Sequence, residues 1–503
     1  MSIEAALTAA RAGRADVDGL DELARLALAE GEEERALPLV RAAAQRHSSA
    51  RLWQWSGLLE RALDEHEAAL ESFMHAARLA PSDAGIAHGH AQVALEAGLD
   101  AVALFEHANR LGPPKGDILV GLAAARMAAG RGEEAAAELD AILAQAPLWL
   151  QGHQQLAQLR ATMGRPDLAS ASLERAMAAA PGEAALWQGL FDLDLRREDF
   201  ARLRDDVERA RVAGLAHIHH AEFEAIAAAE LGETGRADAL FDAAPSDRQP
   251  ALALWRIRHL LRSGRADSAV MLIDRELRSE RSAMVWPYAA AAWRQTGDAR
   301  SQWLEQDAHY VKVMDLGDAL PGLDALAARL RALHVAKGEY LDQSVRGGTQ
   351  TDGPLLSRIE PEIRTARAAI VGAIERYAGE LPPPDDAHPL LRQRRDRRIR
   401  FAGSWSVRLR GAGHHANHVH PQGWISSALY VALPGRQSHE DAHAGWLALG
   451  VPQAELGLDL APVRMVEPRP GRLVLFPSWM WHGTRPFAAG ERLTIAFDVA
   501  PPR

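Results

Sequence analysis

Prolines recur at a nearly fixed interval through the first part of the chain, and this regularity constrains the fold more than any other feature. Pro81, Pro113, Pro147 and Pro181 are separated by 32, 34 and 34 residues. Each is preceded by small and large apolar residues in the same order. Because proline cannot continue a helix, each one is expected to end a helix. The interval predicts a series of stacked two-helix units of about 34 residues.

The most complete unit, residues 50–83, resembles a tetratricopeptide repeat. The positions that match are Trp53, Gly57, Ala69, Phe73, Ala76 and Pro81. In such repeats small residues lie where two antiparallel helices approach closely, and larger residues fill the gap to the next unit. Weaker units precede and follow this one, so we predict an array over residues 1–320. The resemblance implies a curved solenoid whose concave groove binds a protein or peptide partner, although purely structural arrays exist.

The composition restricts the partners and the compartment. The 503 residues include no cysteine, which excludes disulfides, thiolate chemistry and iron–sulfur clusters. The formal net charge of −10 argues against general affinity for nucleic acid. The N-terminus lacks the apolar core of a secretory signal, and no apolar run is long enough to span a bilayer. We therefore expect a cytoplasmic protein with no nucleic-acid or membrane partner.

One basic run stands out against this acidic background. RQRRDRRIRF carries six arginines between Arg392 and Arg400. No aromatic residues are interleaved for base stacking, and Asp385, Asp386 and Asp396 lie close by. The run predicts a solvated face or a linker in preference to a phosphate-binding patch.

The sequence pattern changes near residue 320. Residues 341–353 have no helical period and carry three glycines, which predicts a loop, and a helical pattern returns in PEIRTARAAIVGAIERYAGEL. From Phe401 onward SWSVRL, WISSALYVALP, RLVLFP and RLTIAFDVAP predict short strands, as in a small barrel or sandwich. We therefore predict a multidomain chain: an all-α solenoid over 1–320, connecting helices and loops over 321–400, and a mainly β domain over 401–503.

A histidine cluster marks the candidate site. Four histidines fall within seven positions, from His414 to His420. His418 and His420 are two residues apart, so an extended segment places both side chains on one face. Two imidazoles in this arrangement can bind one metal ion, and His482, at the end of the apolar segment RLVLFPSWMW, offers a third ligand.

An arginine that follows the third histidine is a further candidate residue of the site. Arg492 opens the strand ERLTIAFDV, ten residues after His482. Strand alternation places Arg492 and Thr494 on the face opposite the apolar side chains, so Arg492 is expected to point into a pocket. The separation of ten residues predicts that His482 and Arg492 are neighbours across a hairpin.

These residues together resemble a known family. GSWSVRL, NHVHPQGWISSALYVALP and GRLVLFPSWMWHGTRPF, followed by ERLTIAFDV, are similar to the 2-oxoglutarate- and Fe(II)-dependent oxygenase domain that follows tetratricopeptide repeats in bacterial proteins. LDQSVRGGTQT also resembles part of this group, so the resemblance covers residues 340–503. It implies a double-stranded β-helix, or jelly roll, with a metal site inside.

The resemblance also implies an activity and roles for particular residues. His418 and His482 would bind Fe(II), and Arg492 would pair with the distal carboxylate of the co-substrate 2-oxoglutarate. Further co-substrate contacts are assigned to Ser426, Tyr430 and Thr494. With O₂, such an enzyme converts 2-oxoglutarate to succinate and CO₂ and hydroxylates a substrate C–H bond. A protein, peptide or small molecule is the expected substrate, and the repeats are expected to recruit a partner.

One position departs from the pattern of the family. Its ligand motif has an aspartate or glutamate where this chain has His420. We predict His420 as a third metal ligand, which leaves the centre one positive charge higher, and keep open a place beside the metal without direct contact. His415 is another candidate ligand, but its position three residues before His418 predicts the opposite strand face.

Three further interpretations compete with the dioxygenase. His439-Glu440-Asp441-Ala442-His443 matches a zinc-protease motif, which requires both histidines on one helix face; the short segment between predicted strands favours a loop instead. The site also fits a His₃ metal enzyme that does not use 2-oxoglutarate, such as a cupin-like hydrolase or a thiol dioxygenase. A repeat scaffold with a degenerate, non-catalytic barrel is the remaining alternative.

Overall fold

The structure, a computed structural model, describes residues 2–215, 220–244, 250–320, 322–341, 344–435 and 437–502. Within these ranges nineteen α-helices precede the first strand, and no helix is both long and apolar enough to cross a membrane. The helices are α1 (Ile3–Arg11), α2 (Val17–Glu30), α3 (Glu33–His47), α4 (Ala50–Ala62), α5 (His66–Leu79), α6 (Ala84–Glu96), α7 (Val102–Arg110), α8 (Gly116–Ala128), α9 (Gly132–Gln145), α10 (Leu150–Thr162), α11 (Ala171–Ala179), α12 (Ala184–Arg196), α13 (Phe200–Val212), α14 (His220–Glu230), α15 (Thr234–Ala243), α16 (Pro250–Arg262), α17 (Ala266–Glu276), α18 (Ser282–Thr296) and α19 (Arg300–Glu305).

Small residues let the helices of the array approach closely, as the repeat pattern predicts. The ring of Phe73 on α5 lies between Gly57 on α4 and Gly89 on α6. A Cβ atom added to Gly57 would lie 2.6 Å from this ring, and one added to Gly89 would lie closer still. The helix starts are also encoded locally, since the Asp83 side chain accepts a hydrogen bond of 3.0 Å from the backbone N–H of Ile86 and thereby caps α6.

The rest of the chain forms two antiparallel sheets with two helices against the larger one. The elements are β1 (Lys312–Asp315), α20 (Leu323–Leu333), β2 (Val345–Gln350), α21 (Pro361–Glu380), β3 (Phe401–His415), β4 (Ile425–Ala432), β5 (Leu447–Leu449), β6 (Arg464–Val466), β7 (Arg472–Pro477), β8 (His482–Thr484) and β9 (Glu491–Val499). The larger sheet has the order β1-β7-β4-β9-β3-β2, and the smaller has the order β6-β5-β8. This is the predicted jelly roll behind an α-solenoid.

The alternation of side chains along β9 separates the core from the site. Leu493, Ile495 and Phe497 pack into the core that α20 and α21 form on the outer face of the larger sheet. Arg492, Thr494, Ala496 and Asp498 line a cavity on the inner face. One strand therefore supplies both the hydrophobic anchor of the sheet and a row of side chains for the site.

The loop predicted for residues 341–353 is wrong over half of its length. Val345–Gln350 form β2, which pairs with β3 at the edge of the larger sheet, while Asp342 and Gln343 lie outside the described residues. The register shifts between Arg346 and Gly348, where Gly347 has a φ of +70°. This irregularity removes the alternation by which a strand is identified in a sequence. Since β1 and β2 precede residue 401, we propose that the β domain draws on the whole region from residue 312.

Part of the contact between the β domain and the solenoid runs along one edge, where the first helices of four units end. Arg397 donates to the carbonyl of Gly31 after α2, and the N–H of Phe401 donates to Asp64 after α4 at 3.1 Å. The N–H of Ile359 donates to the carbonyl of Ala97 after α6 at 3.1 Å, and that of Lys337 to Thr162 at the end of α10 at 2.8 Å. Docking points on the array thus recur at the repeat interval, because Gly31, Asp64 and Ala97 are 33 residues apart.

The basic run belongs to this interface, so its prediction as a solvated face or linker is wrong for three of its arginines. Arg397 pairs with Glu32 at 3.4 Å, Arg398 with Glu65 at 2.7 Å and Arg400 with Glu33 at 2.7 Å. The acidic partners lie more than 300 residues earlier in the chain. The arginines therefore neutralise the carboxylates at the turns of the first two units.

Replacing Arg397 with alanine is expected to lower the free energy of unfolding by about 1–3 kcal/mol, because a mostly buried guanidinium loses charged hydrogen bonds. Urea unfolding followed by circular dichroism measures the change. Arg394→Ala is the matched control: this arginine pairs with Asp396 and its side chain is 52% exposed, against 10% for Arg397. The control should change the stability by less than about 0.5 kcal/mol. Equal effects of the two substitutions would refute a specific role of the run in docking.

Candidate metal centre

Backbone pairing brings two of the predicted ligands together. His418 and His482 form an isolated antiparallel bridge, in which each N–H donates to the carbonyl of the other residue at 2.9 and 3.0 Å. The N–H of His420 donates to the carbonyl of Ser478 at 2.9 Å. His420 is therefore also held against the segment that contains His482. Residues 64 positions apart in sequence are thereby fixed opposite each other.

The three imidazoles form a cluster with one nitrogen of each ring turned inward. The ring centroids of His418, His420 and His482 lie 4.9, 4.1 and 5.2 Å apart, and one ligand nitrogen from each lies within 4.8 Å of the others. The Nδ1 atoms of His418 and His482 are used elsewhere, since they lie 2.8 and 2.9 Å from the carbonyls of Ala416 and Met480. An Nδ1–H that donates to a carbonyl leaves the lone pair on Nε2, which is the form that binds a metal. In His418 this Nε2 lies 3.2 Å from the hydroxyl of Ser344.

Burial keeps two of these rings neutral. The pKa values of His418 and His482 are held well below the usual range, first by desolvation and then by the neighbouring imidazoles. A neutral imidazole does not have to lose a proton before it coordinates. His418 and His482 are therefore in the protonation state of metal ligands at neutral pH.

His420 is held by a carboxylate where the other two histidines are held by carbonyls. Its Nδ1 lies 2.9 Å from Oδ2 of Asp498, and its ring stacks on Trp405 with centroids 5.5 Å apart. Asp498 is not among the site residues predicted from the sequence. The alternation that places Arg492, Thr494 and Ala496 on the inner face reaches Asp498 two residues later, so the signal was present.

Arg492 brings a buried positive charge to the same cavity. Its side chain is 3% exposed, its guanidinium carbon lies 4.9 Å above the ring of Tyr430, and it donates to the carbonyl of Gly445. No carboxylate within the described residues forms an ion pair with it. Burial lowers the pKa of Arg492, which reflects the cost of this unpaired charge. Such an arrangement is suited to an anionic ligand.

The three residues predicted to contact the co-substrate occupy different places. Thr494 lines the cavity, and the buried ring of Tyr430 lies under the guanidinium of Arg492. Ser426 also lines the cavity, but its hydroxyl donates to Oδ1 of Asp498 at 2.5 Å. The hydroxyl of Ser426 therefore binds the carboxylate that contacts His420. The co-substrate roles of all three residues stay predictions.

Two geometric expectations about the site are wrong. His482 and Arg492 are not neighbours across a hairpin, because β8 pairs with β5 in the smaller sheet and β9 with β3 and β4 in the larger one. They approach from opposite sheets instead. His415 is not on the far face either: β3 ends at His415, and its ring stacks on His418 with centroids 5.9 Å apart. Burial, the first of several causes, lowers the pKa of His415 to about 3.

The zinc-protease motif lacks its required geometry. Residues 439–443 lie in turns, with no helix to bring His439 and His443 onto one face. Glu440, the general base in such a protease, instead accepts hydrogen bonds from the N–H groups of Gln437 and Ala488 at 2.7 and 2.5 Å. The segment serves as a loop beside β5, as the sequence favours.

Family models match one stretch in the N-terminal array and one stretch in the C-terminal domain. Residues 403–498 match the model of the family described as "Putative 2OG-Fe(II) oxygenase", and residues 50–83 match that of the tetratricopeptide repeat. No curated protein matches the chain.

Solved structures resemble parts of the chain. They include a tetratricopeptide repeat protein from Parabacteroides merdae, with 18% identity and a TM-score of 0.32 over 44% of this chain and 89% of that one. A TPR protein from Thermus thermophilus has 22% identity and a TM-score of 0.26 over 34% and 94%. A Pseudomonas putida prolyl-4-hydroxylase has 19% identity and a TM-score of 0.27 over 39% and 94%.

The matched domain and its geometry define the class of the protein. Residues 403–498 form a 2-oxoglutarate- and Fe(II)-dependent oxygenase domain, and the N-terminal array contains a tetratricopeptide repeat at residues 50–83. The protein is therefore a dioxygenase of this class, which implies Fe(II), 2-oxoglutarate and O₂ as its cofactors.

Proposed function

We propose that this protein hydroxylates a protein or peptide that its repeat array recruits, with His418, His420 and His482 as the metal ligands. One observation carries the proposal. Three imidazoles each bring one nitrogen to within 4.8 Å of the others, and the guanidinium of Arg492, which has no carboxylate partner among the described residues, lines the same cavity. A cation-binding cluster beside an anion-binding arginine is what a site for iron and a dicarboxylic acid requires.

The donor set fits the implied metal and co-substrate. Imidazole nitrogens bind Fe(II) well, and three of them leave positions for a bidentate ligand and O₂. When bound, the iron supplies the oxidative chemistry that converts 2-oxoglutarate to succinate and CO₂ while one oxygen atom enters the substrate. The residues of the chain do the rest: the histidines hold the metal, Arg492 orients the distal carboxylate, and Leu447 and Phe476 line the cavity with apolar surface.

The alternative enzymes and the scaffold explain fewer of these features. A His₃ hydrolase or thiol dioxygenase does not bind 2-oxoglutarate, so it needs no arginine for the distal carboxylate of that co-substrate. Arg492 would then be a buried charge without an assigned ligand. A degenerate barrel would have no need to gather three imidazole nitrogens in the cavity that Arg492 lines. Both alternatives predict that 2-oxoglutarate does not bind.

The repeat array offers surface for a recruited partner. Between α15, α16 and α17 lies a groove of 580 Å³, whose apolar lining is interrupted by charged side chains: Asp238, Asp242, Arg256, Arg265 and Arg275. Met271 in this groove is 71% exposed, and methionine adapts to varied partner surfaces. This exposure supports a peptide or protein in preference to a small molecule as the substrate, and we keep the cytoplasm as the proposed compartment.

The test of the activity is succinate release. Purified protein with Fe(II), ascorbate and 2-oxoglutarate is expected to form succinate slowly without substrate. Enzymes of this class also decarboxylate 2-oxoglutarate at a low rate when no substrate is oxidised. Mass spectrometry of proteins captured on the full-length chain should then reveal a partner that gains one oxygen atom on incubation. If anaerobic calorimetry with Fe(II) detects no binding of 2-oxoglutarate, the proposed function is wrong.

A further inference from the structure

We propose that Asp498 is a positioning residue, which presents His420 to the iron and supplies from behind the imidazole the negative charge that the three-histidine ligand set lacks. The inference rests on the proposed function, since it concerns the same metal site. It assigns a role to a residue that lies outside the ligand motif and outside the co-substrate pocket around Arg492.

The carboxylate of Asp498 is held by its own neighbours, and this determines the position from which it contacts His420. It lies on β9 directly opposite Ser426 on β4, and it is 8% exposed. Its Oδ1 accepts from the Ser426 hydroxyl at 2.5 Å, and that hydroxyl lies 3.0 Å from the hydroxyl of Ser478. Its Oδ2 lies 2.9 Å from Nδ1 of His420. Each oxygen therefore has one partner, and the carboxylate has little freedom to turn.

The carboxylate determines which nitrogen of His420 faces the metal. An ionised carboxylate has no proton to donate, so Nδ1 of His420 must carry the hydrogen and Nε2 is left with a lone pair. Stacking on Trp405 restricts the rotation of the ring. A carboxylate behind a ligating histidine is a recurring way to orient the ring and to raise its basicity.

The charge of Asp498 has a second consequence. Iron(II) with two histidines and a carboxylate keeps one positive charge, whereas iron(II) with three histidines keeps two. With Asp498 included, the centre again carries a single positive charge, although the negative charge is one imidazole further from the metal. His418 and His482 are held by neutral carbonyls, so within the described residues only His420 transmits such a charge. His420 is also the ligand that stands where the family has an acidic residue.

Asp498 does not fit the other roles a buried carboxylate can have. Direct coordination would require it to leave both partners, and the residues that could jointly hold a metal in the described part of the chain are His418, His420 and His482. A purely structural bond between β4 and β9 would not need the second oxygen to reach His420. The position of this oxygen distinguishes the proposed role from simple sheet pairing.

Anaerobic titration of the full-length protein with Fe(II) tests the inference. Asp498→Asn keeps the shape and removes the charge, and it is expected to weaken Fe(II) binding about 10–100-fold. The melting temperature of the metal-free protein should stay close to that of the wild type. Asp315→Asn is the matched control, because Asp315 is also a carboxylate on a strand of the larger sheet but pairs with Arg472 at the surface; its Fe(II) affinity should equal that of the wild type.

A double-mutant cycle shows whether Asp498 acts through His420. In a His420→Ala background the further change Asp498→Asn should alter Fe(II) affinity by less than about twofold, since the imidazole that transmits the effect is gone. The same factor in both backgrounds would overturn the inference, and so would unchanged affinity in Asp498→Asn. If the wild type bound no Fe(II), the proposed function would fail together with this inference; if it bound Fe(II) and the cycle were additive, the inference alone would fail.

Discussion

Replacing His482 with alanine is expected to lower the affinity for Fe(II) by more than about 100-fold, because loss of a ligand should exceed the loss caused by a residue that only supports one. Succinate release should fall to the level of protein without iron. The ring of His482 lies 4.1 Å from that of His418, and its Nδ1 lies 2.9 Å from the carbonyl of Met480. Calorimetry with Fe(II) and succinate detection measure the two effects.

His443→Ala is the control for this substitution. His443 also belongs to a histidine-containing motif, but it lies in a turn with its side chain 46% exposed. Fe(II) binding and succinate release should both match the wild type. A loss of metal in His443→Ala together with retention in His482→Ala would place the metal at the protease-like motif and contradict the assignment of the centre.

Replacing Arg492 with methionine is expected to weaken 2-oxoglutarate binding by about 2–5 kcal/mol, the cost of truncating one partner of a buried charged pair. Fe(II) affinity should change far less, since Arg492 does not belong to the group of possible metal ligands. The metal-free variant should be at least as stable as the wild type, because the substitution removes a buried charge that has no carboxylate partner in the described part of the chain. Anaerobic titrations with Fe(II) and then 2-oxoglutarate separate the two affinities.

Arg469→Met controls for the loss of an arginine. This residue pairs with Glu467 at the surface and its side chain is 59% exposed. Both affinities should be unchanged in this variant. Equal weakening of Fe(II) and 2-oxoglutarate binding in Arg492→Met would indicate a general disturbance of the sheet and would remove Arg492 as the carboxylate anchor.

The sequence predicts the parts of the fold that repeat or alternate regularly. The proline interval gives the helical array, and the alternation after Phe401 gives the principal strands. β2 escapes prediction because its glycines and its register shift erase the period of two. The docking role of Arg397, Arg398 and Arg400 escapes it as well, since their partners lie at the opposite end of the chain and pairing over such distances leaves no local pattern.

The site is predictable to a similar degree. His418, His420 and His482 share a short spacing and a strand context, and the structure gathers them in one place. His415 is misjudged because alternation holds only while the strand continues, and β3 ends at that residue. Asp498 requires knowledge of cross-strand register, since only the pairing with Ser426 reveals what its carboxylate can reach.

The spacing of the docking points limits how this chain can change during evolution. Arrays of this kind usually gain or lose whole units with little penalty, because each unit touches only its neighbours. Here Gly31 and Asp64 meet the segment 397–401, whereas Ala97 and Thr162 meet Ile359 and Lys337. Inserting or deleting a unit among them would move every later docking point by one repeat, out of register with the residue that it contacts. The number of units between α2 and α10 is thus set by the enzyme they carry.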